Sequence, residues 1–225
     1  MKKIIFSILV LALAVVTQSC STVKVMDSWK SDNLASLKDK NILVVARTDN
    51  NQARMAFEEA IANELRARGM KATESFKRFP KLNPDQKSTD ERQQMIKTIL
   101  ESEGYNGVVM SVVKDYQEST RTTRDGGYYA GGGIYPMGYP SYYYGFYGYY
   151  HYPMSYSTYG NYVPYSTTTS VSKTYIVETV AYNMDETEDK QLVAIVTSEI
   201  TDPRTMSSTA DDYAKGIVKS LQAKK

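Results

Sequence analysis

Asn41-Ile42-Leu43-Val44-Val45-Ala46-Arg47, followed from Gln52 to Arg68 by Ala53, Phe57, Ile61 and Leu65 at every fourth position, decides the fold class. The first run is short, apolar and bounded by polar residues, which predicts a buried strand. The second has apolar residues on one helical face, with Ala56 and Ala60 beside them, which predicts an amphipathic helix. Thr48, Asp49, Asn50 and Asn51 offer side chains that start helices. Gly69 accepts the left-handed backbone of a helix end. Glu58-Glu59 reads as part of that helix's solvated face.

The same alternation continues downstream. Met70 to Phe76 reads as a weaker strand, and Pro80 and Pro84 punctuate the loop after it. Ser88-Thr89-Asp90-Glu91 has capping-box spacing, and Met95, Ile96, Ile99 and Leu100 give a second helical face closed by Gly104. Gly107 to Tyr116 is a third strand. Helices of this length between strands predict crossover connections and parallel strand pairs.

The second half changes character. From Gly126 to Ser172, 47 residues contain no Asp, Glu, Lys or Arg. Fifteen of the 20 tyrosines fall between Tyr128 and Tyr165, and nine of the 13 glycines between Gly126 and Gly160. The stretch 126–165 therefore reads as a low-complexity insert. Ser119 to Thr123 and Ser166 to Ser172 flank it like two sides of one opening. Lys173 to Tyr182 and Gln191 to Ile200 then read as an antiparallel hairpin around the polar turn Asn183 to Lys190. Ala214, Ile217, Val218 and Leu221 share a face of a last helix, expected to be capped by Ser208. The expected fold is α+β, an α/β-like two-layer domain, in the order β-α-β-α-β-(Tyr/Gly-rich insert)-β-β-α. It occupies 41–225 as a single domain.

Outward from that domain lies a leader. Lys2 and Lys3 precede an apolar run, Ile4 to Val16, and then Thr17-Gln18-Ser19. This is the three-part layout of a secretory signal. The 13-residue run is about 20 Å long as a helix, against a hydrocarbon core of about 30 Å. Cys20 is the one cysteine, which excludes an intrachain disulfide and a Cys-based zinc cluster. Thr17-Gln18-Ser19-Cys20 resembles the lipobox of bacterial lipoproteins, although Thr and Gln stand at its first two positions. The resemblance implies cleavage after residue 19 and acylation of Cys20. Residues 20–40, polar and mixed, then read as a lipid-anchored tether, with Val23, Val25 and Trp29 as apolar exceptions that could dock on the domain. Ser21 and the lack of an acidic run after Cys20 favour the periplasmic face of the outer membrane.

Loss of residues 1–19 leaves 25 basic side chains against 25 acidic ones, because only Lys2 and Lys3 leave. A neutral chain without clustered Lys and Arg gives no argument for nucleic acid. The sole histidine, His151, lies inside the insert, so neither Cys-His nor Ser-His-Asp catalysis can be assembled. Gly131-Gly132-Gly133 lacks the phosphate-loop pattern. Asp185, Glu186, Glu188 and Asp189 lack calcium-loop spacing and read as a solvated turn. No catalytic residue, metal ligand or cofactor is expected.

The stretch from Asn41 to Gly69, with Phe57-Glu58-Glu59-Ala60 and Glu64-Leu65-Arg66-Ala67-Arg68-Gly69, resembles a family of uncharacterised bacterial envelope lipoproteins. It is also similar to the small α/β domain at the N-terminus of TolB and in CsgG. The resemblance covers Asn41 to Val113 plus the last hairpin and helix; it implies a periplasm-facing envelope role and carries over no catalytic residue. Two functions remain open: a non-enzymatic binding or assembly module, and a small envelope hydrolase or transferase. The absence of a converging acid, base and nucleophile favours the first. Tyrosine combines a flat apolar face with a hydroxyl, which suits interfaces. Tyr142, Tyr143, Tyr144, Tyr147, Tyr149 and Tyr150 are therefore the candidate binding residues. A glycan, an envelope protein or a second copy of the chain is the expected partner.

Overall fold

The computed structural model describes residues 22–78, 89–122, 128–130, 145–146, 161–163 and 169–222. The α+β reading holds. A six-stranded mixed sheet is built from β1 (Val23–Lys30), β2 (Asn41–Arg47), β3 (Lys71–Glu74), β4 (Gly107–Thr122), β7 (Thr169–Asn183) and β8 (Leu192–Thr201), in the spatial order β1-β8-β7-β4-β2-β3. β2 pairs in parallel with β3 and β4, as crossover helices require, whereas β4–β7, β7–β8 and β1–β8 are antiparallel. Two short strands, β5 (Tyr128–Ala130) and β6 (Asn161–Val163), pair separately within the insert.

The described residues include the helices α1 (Asn51–Arg66), α2 (Asp90–Ser102) and α3 (Met206–Gln222). α1 begins where the Asn50 side chain accepts hydrogen bonds from the Gln52 and Ala53 amides at 3.0 and 3.1 Å, which satisfies two donors a helix start leaves orphaned. It ends at Gly69, whose φ of +78° needs no Cβ. α3 starts earlier than its expected Ser208 cap. Thr205 takes that place, accepting from the Ser208 amide at 3.2 Å while the two hydroxyls bond at 2.7 Å.

Strand alternation sorts the core onto two faces. Ile42, Val44, Val109, Val177, Ala181 and Val196 meet Ala60, Ile61 and Leu65 of α1 and Ala210, Tyr213, Ala214 and Ile217 of α3. Phe57 packs edge-on against Tyr213, with centroids 5.2 Å apart. The Tyr213 hydroxyl reaches Thr179 Oγ1 at 2.7 Å, which reaches Ser111 Oγ at 2.7 Å, so these three buried hydroxyls satisfy one another. On the other face Leu43, Val45, Val108, Met110, Val180 and Ile195 pack with Ile96 and Leu100 of α2. Met95, expected on the buried face of α2, is exposed instead.

The first correction concerns the tether. From Thr22 onward no tether exists. β1 pairs with β8 from Val23↔Ile200 to Lys30↔Ala194, and a 3-10 helix, Asp32–Asp39, follows it to β2. The edge strand buries only one side of each residue pair, so it tolerates Lys24, Asp27 and Ser28. A bulge between Val25 and Asp27 shifts the phase, so that Val23 and Val25 pack on the α1–α3 face and Trp29 on the α2 face.

The second concerns Glu58, read as solvated. Glu59 is exposed but Glu58 is fully buried. It accepts from the Ala46 amide at 3.0 Å, Arg54 Nε at 3.1 Å, Ser75 Oγ at 2.7 Å and the Phe76 amide at 2.8 Å. The carboxylate thereby ties α1 to the ends of β2 and β3.

The third concerns the insert. Its two polar flanks are a ladder, from Tyr116↔Tyr175 through Ser119↔Ser172 to Thr122↔Thr169. β4 and β7 therefore run past the sheet as a two-stranded ribbon. The chain then returns: Phe146 is buried against Tyr182, with centroids 5.8 Å apart, and its amide donates to Gln191 Oε1 at 3.2 Å. Gly145 has a φ of +52° beside Glu188. The middle of the insert is pinned to the core at the end of the sheet opposite the ribbon.

Candidate functional site

Several structural features converge at the ribbon end of the domain. Val23, Ile200, Tyr175 and Tyr116 stand in one register row across β1, β8, β7 and β4. Because β4 is parallel to β2, the C-terminal end of β2 and the N-terminus of α1 lie at this end. The turn after β8 brings the N-terminus of α3 there too. Between the two helix starts is a cleft of about 630 Å³. Its floor is apolar, from Phe57, Val113, Val177 and Ile200, and its rim holds Arg47, Asp49 and Arg204. Thr209 lines it as well; its hydroxyl, on a residue 2% exposed, has no hydrogen-bond partner among the described residues.

Tyr116 and Tyr175 close one side, their rings 4.9 Å apart and tilted by 39°. Tyr116 donates to Glu118 Oε2 at 2.6 Å. That bond to an acceptor carboxylate, with minor help from burial and the charge, pushes the phenol up to about 12. Tyr116 is thus a neutral donor and an aromatic face throughout the ordinary pH range. The cleft lining contains a single carboxylate, Asp49, and neither histidine nor cysteine. Such a surface can hold a flat or apolar group and orient it with hydroxyl and guanidinium donors.

A second cavity, about 510 Å³, lies between α1, α3 and the 3-10 helix, with Leu37, Ile61, Leu65 and Ile217 in its wall. On the α2 face, Lys114 and Glu178 pair at 2.9 Å with 1% and 0% of their side chains exposed. Burial lowers the Lys114 ammonium and the adjacent Glu178 carboxylate opposes that shift. Burial also raises the Tyr182 phenol. These groups joined no motif in the sequence, because strand alternation had to be known before Lys114 and Glu178 could be placed side by side.

Of the residues singled out by sequence, Cys20, Tyr142, Tyr143, Tyr144, Tyr147, Tyr149, Tyr150 and His151 lie outside the described residues. Asp185 is held at the surface by Lys40 and by Asn106 Nδ2 at 3.0 Å. Among the described residues no helix is long and apolar enough to cross a membrane.

The sequence matches no protein-family model and no curated protein. Among solved structures the chain is similar to a PelC dodecamer from Paraburkholderia phytofirmans, with 13% identity, a TM-score of 0.43, and coverage of 90% of this chain and 99% of that one. A single-substitution variant of the same dodecamer gives 14% identity, a TM-score of 0.39, and coverage of 88% and 95%. No residue role is carried from either.

Proposed function

We propose that this chain is a lipid-anchored cell-envelope protein, on the periplasmic face of the outer membrane, that binds a partner rather than transforming one. The observation that carries the reading is the pairing of a 47-residue uncharged, tyrosine-dense stretch with a ribbon that presents its root at one end of a rigid sheet. A loop serving only solubility is normally rich in charge and poor in aromatics; this one is the reverse. The cleft beside the ribbon supplies aromatic faces and donors but no converging acid, base and nucleophile. The resemblance to the α/β domain of TolB and CsgG, read from the sequence over residues 41–113 with the last hairpin and helix, would imply the same envelope setting.

In this reading Cys20 carries the lipid, and the tyrosines stack on a glycan, an envelope protein or a second copy. Glycine raises the cost of ordering each contact, so single sites are weak and repeated ones act together. Changing Tyr142, Tyr143, Tyr144, Tyr147, Tyr149 and Tyr150 together to Ser is expected to abolish recovery of the partner from crosslinked cells, with the circular dichroism of the domain unchanged. Equal recovery of the same partners would sink the assignment of binding to the insert. Cys20→Ser is expected to release the protein from membranes; continued fatty-acid labelling of that variant would refute the anchor.

A further inference from the structure

The position of the first strand fixes how the domain meets its membrane. The Thr201 amide donates to the Thr22 carbonyl at 2.9 Å, and Val23 begins the β1–β8 ladder. Ser21 alone separates Thr22 from Cys20. Two residues of fully extended chain span about 7 Å. A lipid on Cys20 therefore holds Val23, the β1 end of the row Val23–Ile200–Tyr175–Tyr116, within about 10 Å of the headgroups, with Tyr116 three strands and about 14 Å away across the sheet.

The ribbon on the same end reaches further. It runs six residues beyond that row, from Tyr116 to Thr122 and from Tyr175 to Thr169, which is about 20 Å at strand rise. The ribbon extends past the attachment point, so with the row parallel to the membrane it enters the headgroup layer or lies along it.

The chemistry of this end suits that position. Four of the seven large hydrophobics exposed among the described residues, Val113, Tyr116, Val171 and Met206, are found on it. The distal ribbon is mostly serine and threonine around Val171, with the pair Glu118↔Lys173 at its base and Arg121 opposite Ser170 near its tip. Aromatic residues with a polar tip concentrate where hydrocarbon meets water. Lys24, Arg47, Arg121, Lys173 and Arg204 are balanced on this end by Asp49, Asp115, Glu118, Glu199 and Asp202, so the surface does not select anionic lipid by charge.

We propose that this end of the domain, formed by the start of β1, the β4–β7 ribbon and the N-terminus of α3, rests on the phospholipid headgroup surface with the ribbon tip in the interface. The proposal depends on the acylation of Cys20 put forward above. In it the ribbon touches lipid without spanning it, and the cleft opens toward the headgroups.

The test uses the full-length protein purified from membranes into phosphatidylcholine nanodiscs containing a lipid with a nitroxide on its headgroup. Cys20 is the only cysteine and is blocked when acylated, so an introduced thiol takes a fluorophore alone. Val171→Cys and Met206→Cys report this end, and Lys190→Cys, exposed at the opposite end, is the reference. Quenching is expected to be several-fold stronger at the first two positions than at the third. Intact mass is measured on the same samples. A chain without acyl mass on Cys20 overturns the anchor and the orientation together. An acylated chain with equal or reversed quenching overturns the orientation alone. Quenching at Val171→Cys that disappears on dilution with unlabelled protein overturns it in favour of a second copy covering this end.

Discussion

At the scale of single residues, the strongest constraints are buried charges that have partners. Glu58 accepts four hydrogen bonds, one of them from Arg54, which is 3% exposed. Glu58→Ala removes the acceptor and strands a buried guanidinium, so urea unfolding should show a loss of about 3–5 kcal/mol. Glu59→Ala, one position away and exposed, should change stability by less than about 0.5 kcal/mol. Equal effects would mean that the helix is rotated. Lys114 and Glu178 follow the same logic with a different second step. Lys114→Met should cost about 3–5 kcal/mol by leaving Glu178 buried, and adding Glu178→Leu should recover most of it, because two apolar groups replace two desolvated ions. Glu74 links stability to pH. Burial raises its carboxyl, but hydrogen bonds from Arg66 and Lys77 outweigh that and bring it from 4.5 to about 2. With the folded value depressed, the unfolded chain takes up the proton first. The contribution is complete above about pH 4.5 and is lost as the pH falls toward 2. Glu74→Gln should flatten the fall of the urea midpoint across that window; an unchanged slope would assign the acid sensitivity to other carboxylates.

At the scale of elements, β2, α1, α2, β8 and α3 were legible because each repeats one period for long enough to read. Leu65, placed in the core by spacing alone, is 8% exposed, and Leu65→Ala should cost about 2–5 kcal/mol in thermal or urea unfolding. β1 was missed although Val23-Lys24-Val25-Met26 alternates, because the bulge after Val25 breaks the alternation before Trp29 is reached. Glu58 was missed because helical periodicity places a residue on an angle and does not reveal that Ser75 and Phe76 close over it. Phe146 was hidden among tyrosines, yet it carried a signal: it is the one phenylalanine in the insert. A ring without a hydroxyl can be buried without finding that hydroxyl a partner. Phe146→Ala should cost about 3–5 kcal/mol, measured beside Tyr147→Ala as a control. A negligible effect would return the whole insert to the surface. The candidate cleft was not legible at all, since Arg47, Tyr116, Tyr175 and Arg204 are brought together only by the order β8-β7-β4-β2.

At the scale of the whole molecule, the insert is a loop closed at both ends and fastened at its middle. It leaves the ribbon after Thr122 and rejoins it at Thr169, with Phe146 almost equidistant from both in sequence. Phe146 packs on Tyr182, 13 residues along β7 from Thr169, which is about 43 Å at strand rise. Each leg must therefore contain at least about 12–13 residues to bring Phe146 back to its place. The native legs, 23 and 22 residues long, exceed that minimum by nearly a factor of two. Sequence alone would expect replacement of 126–165 by a short Gly-Ser linker to leave the fold intact. The pin changes that expectation. Full replacement should lower stability by about as much as Phe146→Ala, about 3–5 kcal/mol. A replacement that keeps Gly145-Phe146 between two Gly-Ser legs of about 16 residues should be nearly as stable as the natural chain, because loop closure depends only weakly on length. Legs of about eight residues cannot span the distance and should match full replacement. Urea midpoints of the three variants decide the matter: a stability that falls smoothly with leg length, with no step between about 8 and 16 residues, would show that Phe146 does not fasten the loop to the far end of the sheet.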